Sequence, residues 1–186
     1  MQSETKQADD SLSEARIDGE QVFDGRLLKV YRDRVRLPDG SESWREFVRH
    51  PGACVIVAEI KPRVLIFERQ FRYPVGRSFI ELPAGKLDAQ ETLLACAQRE
   101  LLEETGYSGG EWQHLGAMHP CIGYSNERIE IFFARNLNRG MQRLDEGEFL
   151  ELVEMSLDDA EAAVFDGRIT DAKTITALFW ARHILK

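Results

Sequence analysis

The chain is poor in the features that mark secreted, membrane-spanning or nucleic-acid-binding proteins. Its 186 residues include three cysteines, Cys54, Cys96 and Cys121, all inside apolar or patterned segments and none in a C-x-x-C pair. An odd, scattered set of this kind argues against a disulfide framework and for a reducing, cytoplasmic setting. Long hydrophobic runs are absent. The longest strictly apolar stretch is Ala53 to Ala58, against the roughly 20 residues that a membrane-spanning helix needs, so no membrane partner is expected. The opening Met1-Gln-Ser-Glu-Thr-Lys-Gln-Ala-Asp-Asp has no apolar core of a secretory leader. Basic residues are in deficit: 24 Lys and Arg against 32 Asp and Glu leave a net charge of −8. A field of that sign disfavours nucleic acid and anionic membranes, and the chain lacks the basic patch that RNA decapping requires. Four histidines, His50, His114, His119 and His183, show no metal-ligand spacing. No Ser-His-Asp order or glycine-rich dinucleotide fingerprint stands out. A small anionic substrate remains compatible, provided that a cation and arginines converge locally.

What is present is an ordinary globular composition, 43% hydrophobic and 30% charged, at a length that suits one domain with an appendage. Residues 1–18 are polar and of mixed charge and are expected to form a disordered tail. Leu27–Leu37, the Pro38-Asp-Gly40 turn and Trp44–Arg49 read as a hairpin. Ala53–Ala58 and Arg63–Glu68 read as more deeply buried strands. Asp88-Ala-Gln-Glu91 has the spacing of a capping box, which predicts a helix from about Ala89 to Thr105 with Gly106 just beyond its end. Leu94, Ala97 and Leu101 form its expected apolar stripe. Strands at 112–118, 128–134 and 149–155 and helices at 157–165 and 170–185 follow. Strands, helix, strands, then helices imply a mixed-sheet α/β or α+β layered fold.

The chemistry concentrates between Gly85 and Tyr107. Glu100, Glu103 and Glu104 stand at i, i+3 and i+4, so three carboxylates line one side of a helix and repel each other by a few tenths of a kcal/mol per pair. They also sit near the helix C-terminus, where the macrodipole favours cations. A hard divalent cation with oxygen ligands reverses that sign, and Mg²⁺ is typically held by carboxylates together with substrate phosphates. Gly85, Glu91, Arg99, Glu100, Glu103, Glu104 and Gly106 fit G-x5-E-x7-R-E-U-x-E-E-x-G-U at every fixed position, with Leu101 in the first bulky slot and Tyr107 a mild departure in the last. At about 6–7% usage per residue type, seven such matches arise by chance roughly once in 10⁸ starts.

This stretch resembles the Nudix box of hydrolases that act on a nucleoside diphosphate linked to another moiety. From about Gln21 onward the chain is similar to the ADP-ribose pyrophosphatase branch. The resemblance implies an α/β/α sandwich around a mixed sheet at residues 51–186, preceded by antiparallel strands at 19–50 that serve dimerisation and substrate contacts. It implies a homodimer in which those strands reach the partner's site. It also implies Mg²⁺, or Mn²⁺ in its place, bound by the carbonyl of Ala84 and by Glu100, Glu104 and Glu148, with Glu103 beside them. Arg99 would orient the carboxylates and Glu91 would brace the loop. Glu146, in Asp145-Glu-Gly-Glu148, matches a carboxylate that activates water, a role for which Glu103 is the alternative. Arg72, closing Arg69-Gln-Phe-Arg72, matches an arginine on the substrate phosphates. Trp44 and Arg49 match a tryptophan that stacks on adenine and an arginine on substrate. The implied reaction is hydrolysis of ADP-ribose to AMP and ribose 5-phosphate.

One departure bears on the substrate. The branch usually places a proline fifteen residues past the box, where this chain has Ile122, with Pro120 two residues earlier. That keeps another sugar nucleotide, of the GDP-mannose or UDP-glucose type, as the rival substrate. A sensor that keeps the fold without catalysis is the rival of another class, and the full set of box glutamates argues against it.

Overall fold

The structure is a computed structural model that describes residues 11–185. Two compact units emerge: residues up to His50 together with Cys121–Glu127, and Pro51–Pro120 together with Arg128 onward.

The N-terminal unit is an antiparallel meander of β1 (Ala15–Asp24), β2 (Lys29–Arg36) and β3 (Glu42–Arg49). β1 begins inside the stretch expected to be a disordered tail, which is therefore corrected: Ala15–Asp18 are strand, and residues 1–10 lie outside the described residues. The reason is visible in the pairing. β1 is exposed along its whole length, so no hydrophobic alternation announces it. It is held by its ladder to β2 and by cross-strand ion pairs, Arg16–Asp33 at 2.9 Å, Glu20–Arg32 at 2.6 Å and Asp18–Arg34 at 2.5 Å. The distant segment Cys121–Glu127 belongs to this unit. Tyr124 O accepts from Val48 N–H at 2.8 Å, and Asn126 Oδ1 accepts from His50 N–H at 2.8 Å.

The second unit is built on β4 (Ala53–Lys61), β5 (Val64–Arg72), β6 (Arg77–Glu81), β7 (Ala84–Lys86), α1 (Leu93–Thr105), β8 (Tyr107–Ser108), β9 (Glu111–Met118), β10 (Ile129–Arg135), β11 (Asn138–Arg139), β12 (Leu150–Ser156), α2 (Leu157–Phe165) and α3 (Ala172–Ile184). The sheet runs β12-β5-β4-β10-β9, with β6 on β5, β7 on β4, and β4 parallel to β10. β8 pairs β11 separately. β4 is covered on both faces, which explains its unbroken apolar run. Val55 and Val57 face a core with Leu65, Phe67, Ile131 and the helical Leu157, Ala160, Ala177 and Leu178. Cys54, Ile56 and Ala58 face the opposite way, into a second core with Cys96, Ala97 and Leu101 of α1. The result is the expected α/β/α sandwich around a mixed sheet. No helix among the described residues is long and apolar enough to cross a membrane.

Helix α1 starts later than the capping-box spacing predicts. Gln90 has φ +69°, so the chain is not helical there, and Thr92 is the N-cap, accepting from Ala95 N–H at 3.2 Å. Glu91 does accept from Asp88 N–H at 3.2 Å, but the bond closes a loop rather than a helix. The buried face also differs from the expected stripe. Leu94 is exposed, whereas Glu104 and Thr105 are buried beside Cys96, Ala97 and Leu101. Gly106 ends the helix as expected, at φ +76° with its N–H on Leu102 O.

Candidate active site

The box carboxylates are brought together by the packing of α1 on β4 and β7. Gly85, on β7, lies directly beneath Glu100: a Cβ at that position would stand 1.9 Å from the Glu100 carboxyl carbon. A side chain here would push the Glu100 carboxylate out of its place, which gives the first fixed residue of the box a physical reason. Next to it, Ala84 donates its N–H to Glu104 Oε2 at 3.0 Å, so Ala84 does sit at the cluster.

Arg99 ties the loop to the helix. Its Nε and Nη2 each donate to Glu91 at 2.9 Å, its Nη1 to Glu100 Oε1 at 2.9 Å and Glu103 Oε2 at 3.1 Å, and its Nη2 also reaches Lys86 O at 3.1 Å. Hydrogen bonding from Arg99 holds the Glu91 carboxyl down at about 2, and the carboxylates in turn raise Arg99. The arginine thus offsets the repulsion at the exposed end of the cluster.

Among the described residues, the buried end has no such cation in contact. Glu104 is 6% exposed and Glu68, from β5, is 3% exposed. The two lie within hydrogen-bonding reach of one another. Burial above all, with neighbouring carboxylates adding to it, pushes Glu68 up to about 8 and Glu104 up to about 10. Burial raises Glu100 as well. The pair therefore titrates as a unit and holds protons more tightly than ordinary carboxylates do. Glu68 Oε1 is buried without a hydrogen-bond partner. Sequence reasoning missed Glu68. The signal for it is a lone acid closing the apolar run Val64–Phe67, two residues past the buried Ile66 and thus on the same face of the strand.

Glu148 precedes β12, and its Oε1 accepts from Gln70 Nε2 at 3.2 Å. Its charge contributes to the upward push on Glu68, Glu100 and Glu104. Glu146 is exposed on the same loop. Among the described residues no three Asp, Glu, His or Cys side chains are already gathered as a finished cation cage. The donor set nonetheless fits a hard divalent ion: an orphaned carboxylate oxygen, adjacent buried acids that now need a proton, and a glycine cradle that leaves them room.

Arg72 does not extend freely from β5. It is held in a fork by the buried Glu81, with Nε to Oε1 at 2.7 Å and Nη2 to Oε2 at 2.8 Å. Trp44 and Arg49 lie in the N-terminal unit. Trp44 is 55% exposed, with the Arg32 guanidinium 5.4 Å from its ring centre. Arg32 and Trp44 line a hollow of about 580 Å³ together with Arg45, Glu46 and Gly123. The Arg49 guanidinium lies over the Tyr31 ring at 3.9 Å. Ile122 is exposed.

Comparison with known proteins shows the family. Residues 48–178 match the NUDIX domain, and residues 14–48 match the nucleoside diphosphate sugar hydrolase N-terminal domain. The chain is 39% identical over 170 residues to an ADP-ribose pyrophosphatase of Bacillus subtilis (strain 168), covering 90% of this chain and 92% of that protein. It is 39% identical over 167 residues to a methanol dehydrogenase activator of Bacillus methanolicus, covering 89% and 90%. It is 33% identical over 144 residues to a GDP-mannose pyrophosphatase of Yersinia pestis, covering 72% of each. A solved structure described as an ADP compounds hydrolase has the same fold, with a TM-score of 0.85 at 24% identity, over 95% of this chain and 96% of that one. With both domains matched across nearly the whole chain, this protein belongs to the Nudix hydrolase family, in its nucleoside diphosphate sugar hydrolase group.

Proposed function

We propose that the chain hydrolyses the pyrophosphate bond of ADP-ribose, adding one water to give AMP and ribose 5-phosphate, with Mg²⁺ as cofactor and Mn²⁺ able to replace it. The observation that carries this reading is the buried Glu68–Glu104 pair next to Glu100, an arrangement whose desolvation cost a bound divalent ion and a diphosphate would offset. Ala84, Glu100, Glu104 and Glu148 are the residues that would hold the ion, with Glu68 behind Glu104. When bound there, Mg²⁺ supplies charge neutralisation at the diphosphate and a lowered pKa for the attacking water.

The protein's own groups do the rest. Arg99 fixes the rotamers of Glu100 and Glu103 and locks the Glu91 loop, so the acids keep their aim without reorganisation. Arg72 reaches the substrate phosphates with a planar donor set that suits them. Glu146 takes the proton of the attacking water, with Glu103 the alternative. Trp44 stacks on the base, and Arg49 contacts the substrate once it leaves the Tyr31 ring. Exposed Val22, Phe23, Leu27 and Leu28 on the N-terminal unit support a homodimer, and the free cysteines support a cytoplasmic site of action. Nucleic acid and membranes are not partners in this reading.

The test is Glu104→Gln assayed with Mg²⁺ on ADP-ribose. Near-normal turnover would exclude the carboxylate cage. Comparing Glu146→Gln with Glu103→Gln then identifies the base by the larger loss in kcat. A second reading has one observation in its favour: Ile122 stands where the ADP-ribose branch usually has proline, and a relative covering 72% of this chain is named a GDP-mannose pyrophosphatase. A side-by-side panel of ADP-ribose, GDP-mannose and UDP-glucose decides between them by kcat/KM.

A further inference from the structure

We infer that Glu81 and Lys173 are positioning residues for Arg72, so that the first turn of α3 sets how the enzyme grips the substrate's diphosphate. The inference rests on the role proposed above for Arg72. It begins from an arrangement that neither box nor sheet requires. Glu81 lies opposite Glu68 in the β5–β6 register, so both acids project from the same face of the sheet. Glu68 meets Glu104, but Glu81 is spoken for by two cations: the Arg72 fork and Lys173 Nζ. Lys173 also donates to Asp171 Oδ2 at 3.0 Å. Its side chain is 15% exposed, so it is enclosed against these carboxylates rather than extended into solvent.

Asp171 is in turn fixed as the N-cap of α3. Its Oδ2 accepts from Thr174 N–H at 3.0 Å and Thr174 Oγ1 at 2.7 Å. Thr174 Oγ1 accepts from Leu82 N–H at 2.9 Å, inside the segment that runs from β6 to Ala84. The fork consumes Nε and Nη2 of Arg72, which leaves Nη1 as the nitrogen aimed elsewhere. Arg72 also feels the charge of Glu104. Arg72, Phe79, Glu81, Thr170, Asp171 and Lys173 line a hollow of about 340 Å³. Without Lys173, Glu81 would be a buried carboxylate dependent on Arg72 alone. Its whole negative charge would then fall on the Arg72 fork, holding the guanidinium more tightly and leaving it less positive charge to offer a phosphate. Lys173 supplies the second positive charge that lets Arg72 serve two anions.

The experiment is a double-mutant cycle of Lys173→Met and Arg72→Ala. It is read by KM and kcat on the best sugar nucleotide, and by calorimetric affinity for inorganic pyrophosphate with Mg²⁺ present. Lys173→Met is expected to raise KM and weaken pyrophosphate about 10- to 100-fold, with kcat changed less than about threefold, the size of one charged hydrogen bond lost. Lys173→Arg restores both values. In the Arg72→Ala background, Lys173→Met adds no further loss. A merely structural staple would instead lower the melting temperature while leaving KM and pyrophosphate affinity unchanged, or would act equally in both backgrounds, and either result overturns the inference. Pyrophosphate binding reads the contact without turnover. A wild type that cleaves none of the sugars therefore sinks the proposed reaction, while the cycle still decides the role of Lys173.

Discussion

Replacing Glu68 by glutamine should make the metal-free protein more stable, and increasingly so as the pH rises. The native state pushes Glu68 from 4.5 up to about 8, mainly by burial. The unfolded chain releases this proton near the ordinary glutamate value, so above that pH the native state holds more protons than the unfolded one. Stability must then fall as the pH climbs from about 4.5 towards 8. At pH 7.5, close to three pH units above the unfolded value, the loss is at most about 4 kcal/mol. Glutamine keeps the shape, carries no titrating proton, and can donate its amide to Glu104. One kcal/mol moves the melting temperature of a protein this size by roughly 2–4 °C, so Glu68→Gln in EDTA should melt several degrees above wild type at pH 7.5 and level with it near pH 5. Thermal unfolding followed by circular dichroism at pH 5, 6, 7 and 8 provides the measurement. Added Mg²⁺ should stabilise the wild type more than the variant, because the ion relieves a repulsion that the variant has already lost. Two parallel curves across this range would refute the reasoning, since Glu68 would then hold its proton no more tightly folded than unfolded.

Other perturbations have equally definite outcomes. Gly85→Ala places a methyl group within 1.9 Å of the Glu100 carboxyl; the carboxylate must move aside, so activity should collapse while stability in chemical denaturation changes by less than about 1 kcal/mol. Arg99→Met should weaken Mg²⁺ binding about 10- to 100-fold by calorimetry, as expected when a group that orients ligands is lost. Trp44→Ala should raise KM by the equivalent of about 1–3 kcal/mol of lost base stacking, leaving kcat nearly unchanged. Leu101, fully buried between α1 and the sheet, should cost about 2–5 kcal/mol when replaced by alanine.

The fold was largely legible wherever burial left a pattern. β4 and β5 announce themselves because both are covered by helices or neighbouring strands; the closing helices lie where the sequence pattern puts them, and the structure adds their caps, Ser156 and Asp171, which accept from the amides three residues on. β1 was illegible because its stability comes from a ladder and from ion pairs on the far side of a turn, neither of which leaves a hydrophobic period. The late start of α1 has the same kind of cause. Glu91 has a capping-box spacing, yet Arg99 draws its carboxylate into a bidentate pair that no local propensity encodes. The site divides along similar lines. A dense motif within one loop and helix exposes Glu100, Glu103 and Glu104. Glu68, Glu81 and Lys173 reach the same region from strands and a helix scattered over more than a hundred residues, and each looks like an ordinary surface charge until the sheet folds.

The placement of positive charge explains why the cluster is left wanting a cation at one end only. Arg99 is fully engaged by Glu91, Glu100 and Glu103, and Arg72 and Lys173 are engaged by Glu81. Neither set is in contact with the Glu68–Glu104 pair, and Glu148 adds a further negative charge nearby. The two ends should therefore respond to acid with opposite sign. Glu91, held at about 2 by Arg99, contributes stability that is present above the unfolded value near 4.5 and is lost as the pH falls through its folded value. The buried pair relaxes over the acidic and neutral range, where it gains its proton. Glu91→Gln should thus destabilise the protein at pH 6 and converge on wild type near pH 2, whereas Glu68→Gln should stabilise it increasingly as the pH rises above about 5. If both variants shifted the melting curve in the same direction at every pH, the division of the site into a satisfied end and a cation-seeking end would fall.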